Sequence, residues 1–287
     1  MPAIIFALIS YLGWGVGDVF GTIATRKIGA YSTTLWSYIL RVLIFAPYVP
    51  FALPALSNLD PFLLLLNIGL GILLLVGFVA FNEALRIENA PLVGTVTASF
   101  AALVVILSLI FLRETISSQQ LISILAIFTG LTLSTFDLKG LKTKNLVVGR
   151  GLLLALVAMF CWGIYFTFIK IPVRQIGWFW PNYISFLLFP LVFFFTRVQR
   201  IEINKPNYKN ALLPLVLTVL LTGIAEFSFN FAIGKSLTSI VAPIAGSYPT
   251  LFVVLAYLIF RDPITRQQIA GILITLIGIA MLSIFSV

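Results

Sequence analysis

The chain has 287 residues, of which 61% are apolar and only 9% charged, with a mean hydropathy of +1.13. A water-soluble domain of this size needs far more charge to cover its surface, so that class is excluded, and the absence of histidine removes the commonest general base and metal ligand. The net charge of +9 does not point to nucleic acid, because the basic residues sit singly or in small groups at segment ends, where they act as a topology signal.

A membrane-spanning helix needs about 20 predominantly apolar residues, and ten such runs can be counted along the chain. The first, 3–25, opens without a basic leader region or a clear small-residue cleavage site and is expected to be a retained helix. It carries Trp14 and Asp18 four residues apart, hence on one face, close to Gly17 and Gly21. The second, 32–53, has Arg41 near its middle, and the third, 62–85, holds Asn67 and ends on Asn82 and Glu83. The fourth, 91–112, turns at Arg113 and Glu114 into the fifth, 118–136. The polar stretch 137–145 then reads as the hinge between two halves. The sixth run, 150–170, carries Cys161 (a lone cysteine, so no intrachain disulfide), Trp162 and Gly163, and ends on Lys170. The seventh, 179–197, is followed by a polar stretch and then by the eighth, 210–233, which holds Glu226 and Asn230. The ninth, 238–260, contains Pro249 and turns at Arg261 and Asp262 into the tenth, 267–286.

An internal repeat organises these runs. Shifted on itself by about 148 residues, the sequence brings Trp14 over Trp162, Asn82 over Asn230, Gly130 over Gly278, and "LRETISSQQL" (112–121) over "FRDPITRQQI" (260–269), without gaps. Chance similarity among Leu, Ile, Val and Phe is easy; matched Trp, Asn, Arg and acidic residues at one offset are not. Each copy holds five helices, so the second enters the membrane from the opposite side, and inverted repeats of this kind belong to secondary transporters. The expected fold is all-α, with ten transmembrane helices in two inverted five-helix repeats. The expected division is a first repeat at 1–136, a linker at 137–148 and a second repeat at 149–287.

With "WG" leading each half, "AFNEAL" and "SFNFAI" closing the third and eighth helices, and "SYPTLFVVLAYLIFRDPIT" forming the ninth and its corner, the chain resembles the drug/metabolite transporter superfamily, in its EamA-type branch with two copies of the domain. The resemblance implies transport, and export more often than uptake. Two departures stand out: Ala101 lies opposite Pro249, so the fourth helix lacks a proline seen in the resemblance, and Asp262 shortens the corner acid that Glu114 supplies in the first half.

A charge at the bilayer centre costs about 2.5–3.5 kcal/mol on insertion scales, so Asp18, Arg41 and Glu226 each need a partner or a function. Glu83 and Lys170, nearer helix ends, can snorkel. Substrate-binding candidates are Trp14, Asp18, Arg41, Asn82, Trp162, Glu226 and Asn230, expected around a central cavity lined by helices one, three, six and eight. Bland readings stand beside these: Asp18 and Arg41 could form a buried pair locking helix one to helix two. Asn82 and Asn230 serve equally well as interhelical glue worth about 0.6 kcal/mol each, the two tryptophans could be interface anchors, and Glu114 and Asp262 read as helix-end caps. "IGKS" at 233–236 lacks the first glycine of a phosphate loop, and "GWGVGDVFG" lacks the spacing of a dinucleotide site. No cofactor, no metal and no enzymatic chemistry is expected from these residues.

The favoured function is a secondary active transporter of the cell membrane that moves a small polar, amino-acid-like metabolite by alternating access. Asp18 or Glu226 would take an amine and Arg41 a carboxylate, with the lipid bilayer as surroundings and a proton as the candidate coupling ion. The alternatives are a proton-coupled exporter of lipophilic cations, against which Arg41 counts, and a sugar or nucleotide-sugar carrier. For orientation, one side carries Arg113, Lys170, Arg174 and Lys235. The other carries Arg26, Lys27, Arg86, Lys139, Lys142, Lys144, Arg150, Arg197, Arg200, Lys205, Lys209, Arg261 and Arg266. The positive-inside bias makes the second side cytoplasmic and places both termini outside.

Overall fold

The computed structural model describes residues 2–88, 90–135, 149–206, 211–260 and 265–286. Ten helical runs follow in order. The first five are α1 (Pro2–Ile28), α2 (Ala30–Phe45, continuing in short turns to Asn58), α3 (Pro61–Ile87), α4 (Ala90–Ala98 and Phe100–Phe111) and α5 (Ser118–Thr135). The second five are α6 (Arg150–Phe168 and Lys170–Ile176), α7 (Trp180–Phe186 and Phe189–Val198), α8 (Leu213–Lys235), α9 (Thr238–Gly246 and Pro249–Phe260) and α10 (Arg266–Ile284). Among the described residues no strand occurs, and nine of the ten runs are long and apolar enough to cross a membrane. The remaining one, α5, opens on Ser118-Gln119-Gln120, which dilutes an otherwise apolar helix. Local chemistry sets several ends: Asp60 caps α3, accepting from the Leu63 amide at 2.7 Å ahead of Pro61, and Thr265 and Gln268 form a capping box at α10. The tail of α2 is chopped into short turns by Pro47, Pro50 and Pro54, each of which removes a backbone donor.

Packing follows the repeat. Helix α1 lies along α8, and its repeat mate α6 lies along α3, the mate of α8. The self-related pairs α4–α9 and α5–α10 complete the bundle. This exchange of partners is the contact pattern of two inverted halves interlocked about one axis. Lipid gives apolar side chains no reason to turn inward, so the helices present leucine and isoleucine outward and small or polar residues to each other. In α8, Leu213 and Ile224 are exposed while Thr218, Thr222, Gly223 and Glu226 are buried. Helices α5 and α10 approach backbone to backbone: a Cβ on Gly130 would collide with the Thr275 backbone, and one on Gly271 with Ser134. Gly17 and Gly21 admit a neighbouring helix, packing against Thr222 and Thr218 of α8, and Thr218 donates to the Gly17 carbonyl.

Both α4 and α9 are broken, at Ser99 and at Ser247–Tyr248, positions that the repeat shift brings together. In α9 the break follows from Pro249, which has no amide to donate. In α4, whose one proline, Pro91, lies in the first turn away from the break, the Ser99 amide is shared between the Thr95 and Val96 carbonyls and its hydroxyl bonds back to Thr95, at 3.1 Å. The missing proline therefore does not cost the fourth helix its discontinuity.

Candidate functional site

Arg41 of α2 is 1% exposed, and its charge is met by Glu226 of α8, also 1% exposed, at 3.0 Å. The partner of Arg41 is thus Glu226 rather than Asp18; α2 packs against α8 as well as α1, and this brings Glu226 to the guanidinium. Nη2 of Arg41 also donates to Thr222 Oγ1 at 2.6 Å, and its plane lies over Phe78 (4.8 Å) and Phe186 (5.0 Å). Nε and Nη1 of Arg41 and Oε2 of Glu226 have no hydrogen-bond partner among the described residues. Buried polar atoms are nearly always paired, so this centre holds hydrogen-bonding capacity that the protein does not itself consume.

Asp18 lines three small cavities of about 20 Å³ each, roughly the room of one water; one is bordered by Thr22, Phe81, Pro249 and Phe252, and the remaining two involve the charged and aromatic residues of the centre. It shares one with Arg41, Tyr38, Asn82 and Thr222. The other is an aromatic chamber formed by Trp14, Asp18, Phe78, Phe100, Trp162, Phe166, Thr222, Glu226 and Tyr248. Eight of these nine residues fall into four pairs related by the repeat shift: Trp14 with Trp162, Asp18 with Phe166, Phe78 with Glu226, and Phe100 with Tyr248. The chamber therefore sits on the axis relating the halves, and at two of the four pairs an acid in one copy replaces an aromatic in the other. Trp14 anchors it, with the rings of Phe166 and Phe229 at 5.2 and 5.6 Å. The tryptophans line this wall; Trp162 Nε1 reaches the Leu74 carbonyl at 3.4 Å.

Asn82 donates to Thr34 at 2.9 Å and accepts from Thr25 at 3.1 Å, tying α1, α2 and α3 together at the edge of the polar cavity. Asn230 is directed to the Trp178 carbonyl at 3.1 Å, and is not on the chamber wall. Asn67 similarly bonds the Pro181 carbonyl. The chamber recruits α4 and α9 in addition to helices one, three, six and eight. Phe100, Phe166, Thr222 and Tyr248 were not singled out in the sequence; applying the repeat shift to Asp18 would have found Phe166.

Glu114 acts as a helix cap: it accepts from the Thr238 and Ser239 amides at the start of α9, at 2.9 and 2.8 Å, and from the Ser239 hydroxyl. Lys170 does not snorkel. It is 2% exposed and gives its charge to Glu114 at 2.7 Å and to the Ser236 carbonyl at 2.8 Å. Burial raises the affinity of the Glu114 carboxyl for its proton, but Lys170 and the α9 donors outweigh it and hold the carboxyl below its usual value. Arg261, Asp262 and the hinge 137–145 lie outside the described residues.

Residues 1–136 and 149–284 each match the model of a family described as the EamA-like transporter family. A solved structure titled "Crystal structure of protein" superposes with a TM-score of 0.78 over 99% of this chain and 98% of its own, at 14% identity, a likeness of fold alone. No curated protein matches the chain.

Proposed function

Because the chain belongs to the EamA-like transporter family, an integral multi-pass membrane family, we propose that it is an alternating-access carrier of the cell membrane that exports a small metabolite bearing a protonated amine. The single observation that supports this reading is the aromatic chamber on the repeat axis with Asp18 in its wall. A cation over aromatic faces gains about 0.5–2 kcal/mol, and Asp18 adds a charge-assisted hydrogen bond. Broken helices α4 and α9 border the same chamber, as expected of a carrier whose binding site lies at the repeat interface. The amino-acid-like substrate additionally extends its carboxylate into the adjoining polar cavity, which shares Asp18 and Thr222 with the chamber and holds the unconsumed donors of Arg41. The chamber's small volume corresponds to a closed centre, and substrate enters as the halves rock apart.

One observation favours the lipophilic-cation alternative: Arg41 is neutralised by Glu226 and stacked on Phe78 and Phe186, and it is absent from the chamber wall. Its repulsion of a cationic substrate is correspondingly weaker than the sequence suggested. Vesicles containing the purified protein decide between the readings when amino acids, simple amines and lipophilic cations are offered with and without a pH gradient. Asp18→Asn is expected to reduce transport of the amine at least about tenfold; wild-type transport in that variant overturns the role given to Asp18.

A further inference from the structure

On the outer side of the bundle a separate groove of about 420 Å³ runs between α3, α6 and α7, with Tyr31 of α2 at one end. Its walls are Ile72 and Val76 of α3, Leu154 and Val157 of α6, and Leu191 and Phe195 of α7. Five of these six side chains are at least 40% exposed although they belong to membrane-spanning helices. From Glu83 at the mouth to Ile72 at the floor the groove follows eleven residues of α3, about 16 Å at 1.5 Å per residue. Half of a hydrocarbon core about 30 Å thick is about 15 Å. The groove thus has the length of one acyl chain in one leaflet.

Its mouth is polar. Glu83 is consumed by Arg86 through two hydrogen bonds of 2.8 and 2.7 Å. Arg150 reaches the same carboxylate only at 3.9 Å and is 78% exposed, which leaves its guanidinium free to meet a ligand. The stacked rings of Tyr31 and Phe195, at 5.8 Å, close the flank. At the headgroup level Arg86 and Arg150 are balanced by Glu83 and by Glu88, which packs beside Gly149 and Gly151, and the ends of α1 and α7 add Arg26, Lys27 and Arg197, so that this side as a whole carries a net positive charge.

We infer that this groove is a binding site for one anionic glycerophospholipid of the leaflet on the base-rich side, with an acyl chain along α3 and the phosphate on Arg150. A zwitterionic lipid offers the same chain but brings its own cation to a net positive side of the bundle, so the charge favours the anionic one. The site lies away from the aromatic chamber and does not depend on what the protein transports.

The test is native mass spectrometry of the purified full chain with phosphatidylglycerol and phosphatidylethanolamine offered in equal amounts. The expected result is one retained phosphatidylglycerol per chain, preferred at least about fivefold over phosphatidylethanolamine. Arg150→Glu, at an exposed position where folding is not at stake, removes that preference. Arg174→Glu, an exposed base at the opposite end of α6, leaves it intact. Val76→Trp fills the groove and releases both lipids. Equal retention of phosphatidylglycerol by wild type and Arg150→Glu overturns the proposal, as does a dimer that carries no lipid, which would make the groove an interface between two copies.

Discussion

At the scale of single residues, the centre of the molecule is governed by the cost of charge in a medium without water. Arg41 and Glu226 tolerate burial because each has the other, together with Thr222 and two aromatic faces. Removing one partner leaves the other stranded, a loss of about 3–5 kcal/mol, whereas removing both is far milder. Arg41→Met is therefore expected to lower thermal stability in detergent sharply, and Arg41→Met combined with Glu226→Leu to restore most of it while leaving transport abolished. Equal stability of the single and double variants would show that the pair is not coupled. Glu226→Gln keeps the shape and removes the exchangeable charge. If Glu226 carries the coupling proton, this variant loses pH-driven transport; unchanged pH dependence moves that role to Asp18 or removes it. The acids were legible as intramembrane charges, but their partners were not. Helix periodicity places Asp18 on a face without saying which helix lies opposite, and the pairing of Arg41 with a residue 185 positions away is a product of packing.

At the scale of elements, two joints hold helices in place by different physics. The corner after α4 uses electrostatics: Glu114 fixes the α9 start and neutralises Lys170 of α6. Its folded-state proton affinity is depressed below the ordinary value of 4.5. The sign follows: the stabilisation is fully present above that value and is lost as pH falls through the lower folded one. Glu114→Gln should flatten the acid limb of stability against pH, read by thermal unfolding between neutral pH and about pH 3, and Glu114→Ala should cost about 3–5 kcal/mol by stranding Lys170. The repeat shift places Thr22 where Lys170 stands, so the related position in the first half lacks this cation. The α5–α10 joint instead relies on the absence of side chains. Gly130→Ala drives a methyl into the Thr275 backbone and is expected to cost about 1–3 kcal/mol. Gly69→Ala, with nothing within 4 Å of the new methyl, should cost nothing. Helix propensity favours alanine at both positions, so a comparable loss in both would show that close approach is not what decides.

At the scale of the whole molecule, the two halves are interlocked copies that carry unequal charge at their two ends. Basic residues accumulate at the ends of α1, α3 and α7 and at the start of α6, and the count of thirteen against four named above predicts that this side is cytoplasmic and both termini are outside. A reporter fused after Val287 and active only in the cytoplasm should therefore be silent; strong activity would reverse the assignment. What the sequence determined by itself is the membrane as solvent, ten helical runs, the duplication and its inversion. All of these follow from composition, length and an odd count of helices, properties that need no knowledge of contacts. Two landmark pairs show where that reach stops. Trp14 and Trp162, matched in the repeat, both line the chamber; Asn82 and Asn230 are just as well matched, yet Asn230 turns to a backbone carbonyl at Trp178. Only the tertiary structure decided which face of each helix meets the axis, that Glu226 rather than Asp18 holds Arg41, and that Phe100 and Tyr248 complete the chamber. In a bilayer almost every surface is apolar, so hydrophobic periodicity carries little information about which side faces inward, and the choice is left to small residues and polar contacts made between helices far apart in the chain.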